Sequence, residues 1–304
     1  MAITVLDTLS GMTDVLHAPS EDRAALLSEM LAPVVGMYRY FPGQVDVVQM
    51  HLASFGFPLD RDTDTCVRAL DLLREADAWG RIGRALDAAL TALVAAVPQL
   101  SAGAALPDIT VLLVLGDPGD DYFIERVKGV SGNGSATGFI SLTIWPSAEN
   151  LERLEATAVH ELNHNLRYAP GGVIWDPFAV TVGEQVISEG LADAFARELY
   201  GDELGYTRIG VDHLGDDAVV EKVISGLDVT GMQNFVAWVH GDAAAERFGA
   251  APVGLPTGAG YAAGNRLVDT YLERTGTTAA SALHVPSSEI IDIALGNGQF
   301  ALSS

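Results

Sequence analysis

Two histidines and a glutamate in Ala158-Val159-His160-Glu161-Leu162-Asn163-His164 have the types and spacing of a metal-dependent hydrolase. Residues four apart share one face of an α-helix, so His160 and His164 present two imidazoles to a single ion, with Glu161 close beside them. Neutral imidazole suits a borderline-soft cation such as Zn2+. A neighbouring carboxylate that is not a ligand is placed to take the proton of a water that the ion acidifies. A catalytic zinc uses three protein ligands and keeps one position open. The third donor is offered by Ser188-Glu189-Gly190-Leu191-Ala192-Asp193, where Glu189 and Asp193 are again four apart, in an apolar run that reads as a largely buried helix. Glu189 is expected as the third ligand. Asp193 is expected to accept the other ring N–H of a ligating histidine, most naturally His160, because such rings are ordinarily oriented by a carboxylate or carbonyl. A metal-free helical protein with a chance motif would leave both Glu189 and Asp193 unexplained.

His-Glu-x-x-His followed by a helix carrying Glu-x-x-x-Asp resembles the pattern of the gluzincin metallopeptidases. Within that group, 138–167, Ser188-Glu189-Gly190-Leu191-Ala192 and Gly260-Tyr261-Ala262-Ala263-Gly264 look like the YjaZ-like zinc-dependent proteases, over roughly 109–273. The family pattern often carries an aromatic residue where this chain has Asn265. The resemblance implies zinc-dependent hydrolysis of peptide bonds with Glu161 as general base, acting on a peptide or protein substrate. It also implies that the strand just before the motif helix is an edge strand to which an extended peptide adds. That strand is expected at 139–145, with Phe139, Ser141, Thr143 and Trp145 as substrate-binding residues. An oxyanion forming at the scissile carbonyl needs a further donor. Tyr261 is the first candidate, because it lies in the resembling stretch and follows a Gly/Pro-rich loop; Tyr206, His213 and His240 stay open. The alternative is a non-catalytic protein in which zinc is structural or the cleft only binds peptide, but such a site has no use for Glu161.

The elements that must position these residues read as an α+β fold, predominantly helical, with a zincin-like core and a small mixed sheet. A helical N-terminal region is expected over 1–105, packing on a metallopeptidase domain over 106–304. Helical starts and spacing appear at Ser20-Glu21-Asp22-Arg23 and over 77–97, and Pro42-Gly43, Gly56-Phe57-Pro58 and Pro98 mark breaks. Ile109–Leu115 is a β-branched and apolar run of strand type, 122–127 is a possible second strand, and 129–138 is a flexible connector. Its Gly132-Asn133-Gly134 reads as a turn, since no lysine or strand-to-helix phosphate motif accompanies it. The C-terminal part is expected to be mainly helical, over 216–225, 232–240 and 261–274.

The chain has 304 residues, 49% of them hydrophobic, which supports a sizeable core. Forty acidic against 17 basic residues leave a net charge of −23, which argues against nucleic acid or an anionic membrane as partner. The acids are spread along the chain, which favours a solubility bias over a preference for cationic peptides. No stretch approaches the ~20 apolar residues of a membrane span, and the N-terminus lacks a secretory pattern, so the expected compartment is the cytoplasm. The single cysteine, Cys66, reads as a buried structural thiol, and His17 and His51 as isolated residues without ligand partners. No pattern specifies an oligomeric state.

Overall fold

The computed structural model describes residues 1–41, 43–100 and 106–296; the expected break at Pro42 and the expected boundary at 105 lie outside the described residues. The chain forms two compact units. One comprises Met1–Val94 with Gln99–Pro170, the other Ala95–Pro98 with Gly171–Ser304. Most of the N-terminal third shares a unit with the motif helix.

The reason is a strand at the extreme N-terminus. The first unit holds a four-stranded sheet of β1 (Ile3–Val5), β2 (Ile109–Leu115), β3 (Val130–Asn133) and β4 (Phe139–Ile144), in the order β1-β2-β4-β3. β1, β2 and β4 are parallel, with Ile3 opposite Ile109 and Thr110 opposite Phe139, and β3 runs antiparallel to β4. Three residues carry too little periodicity to announce a strand. β1 exists because β2 offers it an edge, where Ile109 N–H donates to the Ala2 carbonyl (2.8 Å) and Leu6 N–H to that of Val111 (2.9 Å). All of β2 except Thr110 is buried, as the continuous apolar run of a parallel strand requires.

The helices of this unit are α1 (Thr8–His17), α2 (Arg23–Leu31), α3 (Val47–Ala53), α4 (Thr63–Glu75), most of α5 (Ala78–Ala96), α6 (Ala148–Glu152) and α7 (Leu154–Arg167). Asp7 caps α1 by accepting from Ser10 N–H (3.1 Å), and Met12 and Val15 are wholly buried. Arg81 on α5 grips the Glu155 carboxylate through Nε (2.6 Å) and Nη2 (2.5 Å) and also donates to the Leu151 carbonyl (2.8 Å), fixing the start of α7. Cys66 is buried, and loss of solvent pushes its thiol up to about 12. His51 is a satisfied core residue: its Nε2–H donates to the Phe57 carbonyl (3.1 Å), and burial holds the ring at about 4.

Three expectations are corrected here. Residues 122–127 do not form a strand: Tyr122–Arg126 is a π-helical turn that buries Phe123 against Phe55, with ring centroids 5.3 Å apart. The stretch 129–138 contains β3. Most consequentially, β4 is not an edge. β2 pairs with Phe139–Ile144 along one side, and Val130–Asn133 pairs with Ile144 to Ser141 along the other. Main-chain addition of a peptide along Ser141 and Thr143 is thereby blocked, because both sides are already paired within the sheet; Phe139 has only β2 as a strand partner, and Trp145 lies just beyond β4 with its N–H on the Gly129 carbonyl (2.8 Å).

The second unit comprises α8 (Val182–Tyr200), α9 (Asp202–Gly205), α10 (Arg208–Val211), α11 (Asp217–Ile224), α12 (Asp242–Phe248), α13 (Ala259–Thr275) and α14 (Ser287–Leu295), with a π-helical turn at Val236–His240. Thr181 caps α8 by accepting from Glu184 N–H (3.0 Å), and α8 is buried from Val182 through Ala196. α8 and α13 meet backbone to backbone. A Cβ on Gly190 would stand 2.3 Å from the Gly264 carbonyl oxygen, and one on Gly264 would stand 2.2 Å from that of Val186. Only glycine allows this approach. The recurrence of glycine in Ser188-Glu189-Gly190 and Gly260-Tyr261-Ala262-Ala263-Gly264 thus has a packing cause. No described helix is long and apolar enough to cross a membrane.

Candidate metal centre

α7 is buried along most of its length, and His160, Glu161, Asn163, His164, Asn165 and Arg167 are each less than a tenth exposed. Burial of polar groups is costly unless they are bonded. For Asn165 the bonds are explicit: Oδ1 accepts from Gly138 N–H (3.0 Å), while Nδ2 donates to the carbonyls of Phe139 (2.7 Å) and Gly134 (2.9 Å). Asn165 thereby clamps the β3–β4 turn onto the motif helix.

His160 and His164 share one face of α7, with their Nε2 atoms 3.0 Å apart and their rings at 79°. Two nitrogen ligands of a tetrahedral zinc, each at ~2.05 Å, stand about 3.3 Å from one another. The observed spacing is close to that of two donors to one ion. Two ring nitrogens facing at this distance require a proton or a cation between them, since paired lone pairs repel. Among the described residues, His160, His164 and Glu189 form a group able to hold a metal: all three are buried, and their ligand atoms lie within 4.8 Å of one another. Two nitrogens and a carboxylate oxygen suit Zn2+, and three protein donors are the number a catalytic site takes.

Glu161 packs against bare backbone. A Cβ on Gly132 of β3 would stand 2.0 Å from Glu161 Oε1, and one on Gly134 would stand 2.0 Å from the Glu161 carbonyl oxygen. Both glycines are needed for the edge strand and its turn to lie this close to α7. Reading 129–138 as a flexible connector missed their role. The Gly-x-Gly spacing was the available signal, since alternate residues of a strand face the same way.

In the second unit, Asp193 follows Glu189 by one turn of α8 and is wholly buried. Its Oδ2 accepts from Asn265 Nδ2–H (2.7 Å) and Thr207 N–H (3.1 Å), and its Oδ1 from the Thr207 hydroxyl (2.7 Å). Asn265 Oδ1 in turn accepts from Arg197 Nη2–H (3.3 Å), and Arg197 is held by Asp269. The sequence alone does not point to Thr207 or Arg197 as neighbours of this network, and Asn265 stands out there only as a departure from the family pattern one helical turn after Tyr261.

Of the candidate oxyanion donors, Tyr261 and His240 come together. Tyr261 is 8% exposed on α13, its ring edge-on to the His240 imidazole with centroids 5.6 Å apart. Burial lowers the His240 pKa, and the nearby Glu189 charge partly opposes that shift. Tyr206 instead lies beneath the Arg197 guanidinium, 4.3 Å from ring centroid to Cζ, and burial raises its pKa. His213 sits in the turn after α10.

The family model described as Predicted Zn-dependent protease (DUF2268) matches residues 91–292. The chain is also similar to an uncharacterized protein, YjfC, of Bacillus subtilis (strain 168), with 29% identity over 251 residues covering 82% of this chain and 81% of the relative. No solved structure matches. The matched span is about two thirds of the chain and takes in His160, Glu161, His164, Glu189, Asp193 and Tyr261. The chain belongs to this family of predicted Zn-dependent proteases.

Proposed function

We propose that the protein hydrolyses peptide bonds with Zn2+ held by His160, His164 and Glu189. The observation that carries this reading is a buried set of three zinc-type donors whose motif helix also bears Glu161, a carboxylate outside the donor set and walled by Gly132. A structural zinc site is closed by four protein ligands, whereas a catalytic one has three and an open position. When bound, zinc supplies a Lewis acid that lowers the pKa of water toward 7 and polarises the scissile carbonyl.

The chain's own residues do the rest. Glu161 accepts the proton of the attacking water and returns it to the leaving amine nitrogen. Tyr261 donates its phenol hydrogen to the oxyanion, with His240 packed beside it as the second candidate donor. Asp193 accepts a ring N–H from His160 and so fixes that ligand's tautomer and orientation. An extended substrate has β3 as its edge, at Val130–Asn133, because β4 is paired on both sides and Gly132 borders Glu161.

The deciding test is Glu161→Gln. It keeps size and leaves the donor set intact, so zinc content and fold are expected to match wild type, while cleavage falls by about 10²–10⁴ with loss of the base. Wild-type protein that cleaves nothing in a broad peptide library, yet binds the same peptides as the variant, would replace the enzyme by a zinc-containing binding protein.

A further inference from the structure

α8 is buried from Val182 through Ala196, and most of the polar side chains it carries there, Glu184, Ser188, Glu189 and Asp193, are engaged. Gln185 is the exception. It is 2% exposed, and neither its Oε1 nor its Nε2 has a hydrogen-bond partner. A buried amide without partners loses the hydration of an acceptor and of two donors, a cost that leucine or methionine at the same position would avoid. Such a group calls for a cause. Among the described residues, the other buried carboxamide with both ends unpartnered is Asn163, on α7, the helix that bears His160 and His164.

The position of Gln185 supplies the cause. It precedes Glu189 by four residues, so the two side chains leave α8 only about 40° apart around the helix, with Cβ atoms about 6 Å from one another. Its burial also matches that of the metal donors, since His160, His164 and Glu189 are 7%, 4% and 6% exposed. A substrate that reaches the metal has come equally deep. A carboxamide is neutral and is not among the usual ligands of zinc. What it complements is another amide: Oε1 accepts from an N–H and Nε2 donates to a carbonyl, the two polar groups of a peptide bond. We propose that Gln185 anchors the substrate, hydrogen-bonding a main-chain peptide group one or two residues from the scissile bond. The span fits, because successive Cα atoms of a peptide are about 3.8 Å apart. This rests on the proposed hydrolysis of peptides at His160, His164 and Glu189. Contact with main chain is indifferent to the side chains of the substrate. Because it is made before and during the reaction alike, it acts on KM and not on kcat.

The test uses Gln185→Met and Gln185→Leu, which keep the bulk and remove the amide, with two peptides of unrelated sequence that wild type cleaves in a random library. Urea unfolding midpoints are expected to equal or exceed that of wild type, because an unpartnered group is gone. Zn2+ affinity, from competition with a chromophoric chelator, is expected to stay unchanged. KM for both peptides should rise about 10-fold with kcat within about twofold, and fluorescent forms of the same peptides should bind the Glu161→Gln chain more weakly by the same factor once Gln185→Met is added. Lower unfolding midpoints in both variants would show that the amide is bonded within the fold, to buried water for instance, and would overturn the inference. So would weaker Zn2+ binding, a loss in kcat in place of KM, or a loss confined to one peptide, which marks a side-chain contact. Wild-type protein that cleaves no peptide overturns the hydrolase reading and takes this inference with it. Wild-type protein that cleaves, with Gln185 variants that match it, overturns the inference alone.

Discussion

Replacing Gly132 with alanine is expected to suppress cleavage while leaving metal content and fold in place. The added Cβ would stand 2.0 Å from Glu161 Oε1, whereas ordinary contact begins at 3.4 Å, so the carboxylate must retreat by about 1.4 Å. It can do so, being the far end of a side chain with three rotatable bonds. A catalytic group misplaced by ~1 Å costs on the order of 10²-fold in rate, or about 2.7 kcal/mol of barrier. The Gly132→Ala variant should therefore lose about 10²-fold in kcat on any peptide that wild type cleaves, with unchanged zinc stoichiometry and a near-wild-type Tm. Gly134→Ala provides the contrast. There the Cβ meets the Glu161 backbone oxygen at 2.0 Å, and a helix carbonyl cannot move aside without disturbing α7. Overpacking of this kind typically costs ~1–3 kcal/mol, so this variant should unfold earlier in urea and on heating. A Gly132→Ala enzyme with kcat within about twofold of wild type would refute the placement of Glu161 against β3 as a catalytic constraint. A fully stable Gly134→Ala variant would refute the contact between that turn and α7.

Elemental analysis of native protein should find one zinc per chain, with His160→Ala and Glu189→Ala each losing retention and Asp193→Ala losing it more mildly, by ~10–100-fold in affinity; equal and negligible effects would reject the donor set. Tyr261→Phe should lower kcat by about 10²–10³ with zinc content unchanged, and an unchanged kcat would transfer the role to His240. His51 makes stability acid-sensitive. Its ring stays neutral in the folded chain down to about 4, whereas the unfolded chain takes up the proton near 6.5, so acid favours unfolding. The contribution is fully present above about pH 6.5, is lost as pH falls toward 4, and amounts to about 3 kcal/mol. Urea unfolding of wild type and His51→Leu at pH 7 and 4.5 should show a smaller loss in the variant, and parallel losses would reject it.

Much of the candidate centre was legible in the residues alone. His160 with His164, and Glu189 with Asp193, are pairs related by one helical turn, and a helix sets the directions of its own side chains. Cys66, read as a buried thiol, is buried; His51, legible only as an isolated histidine, proves to be a core residue. The sheet was less legible. β2 and β4 announce themselves by β-branched and apolar runs, but β1 is three residues long, and β3 is Val130-Ser131-Gly132-Asn133, a composition that favours turns. The composition that hides β3 also hides the second neighbour of β4, so from the sequence alone β4 looks like an edge that the sheet does not leave it.

What the sequence determined by itself was therefore the chemistry each helix can present: two imidazoles and a carboxylate on α7, and two carboxylates on α8, all set by short-range geometry. The tertiary structure decided everything that depends on which distant segment arrives alongside. Strand pairing brought Gly132 against Glu161. The close α8–α13 crossing at Gly190 and Gly264 brought Asn265 to Asp193, and the turn at Val236–His240 brought His240 to Tyr261. Such partners are separated by tens of residues, and no local propensity encodes them; they are selected by packing and by the need of buried polar groups for a bond.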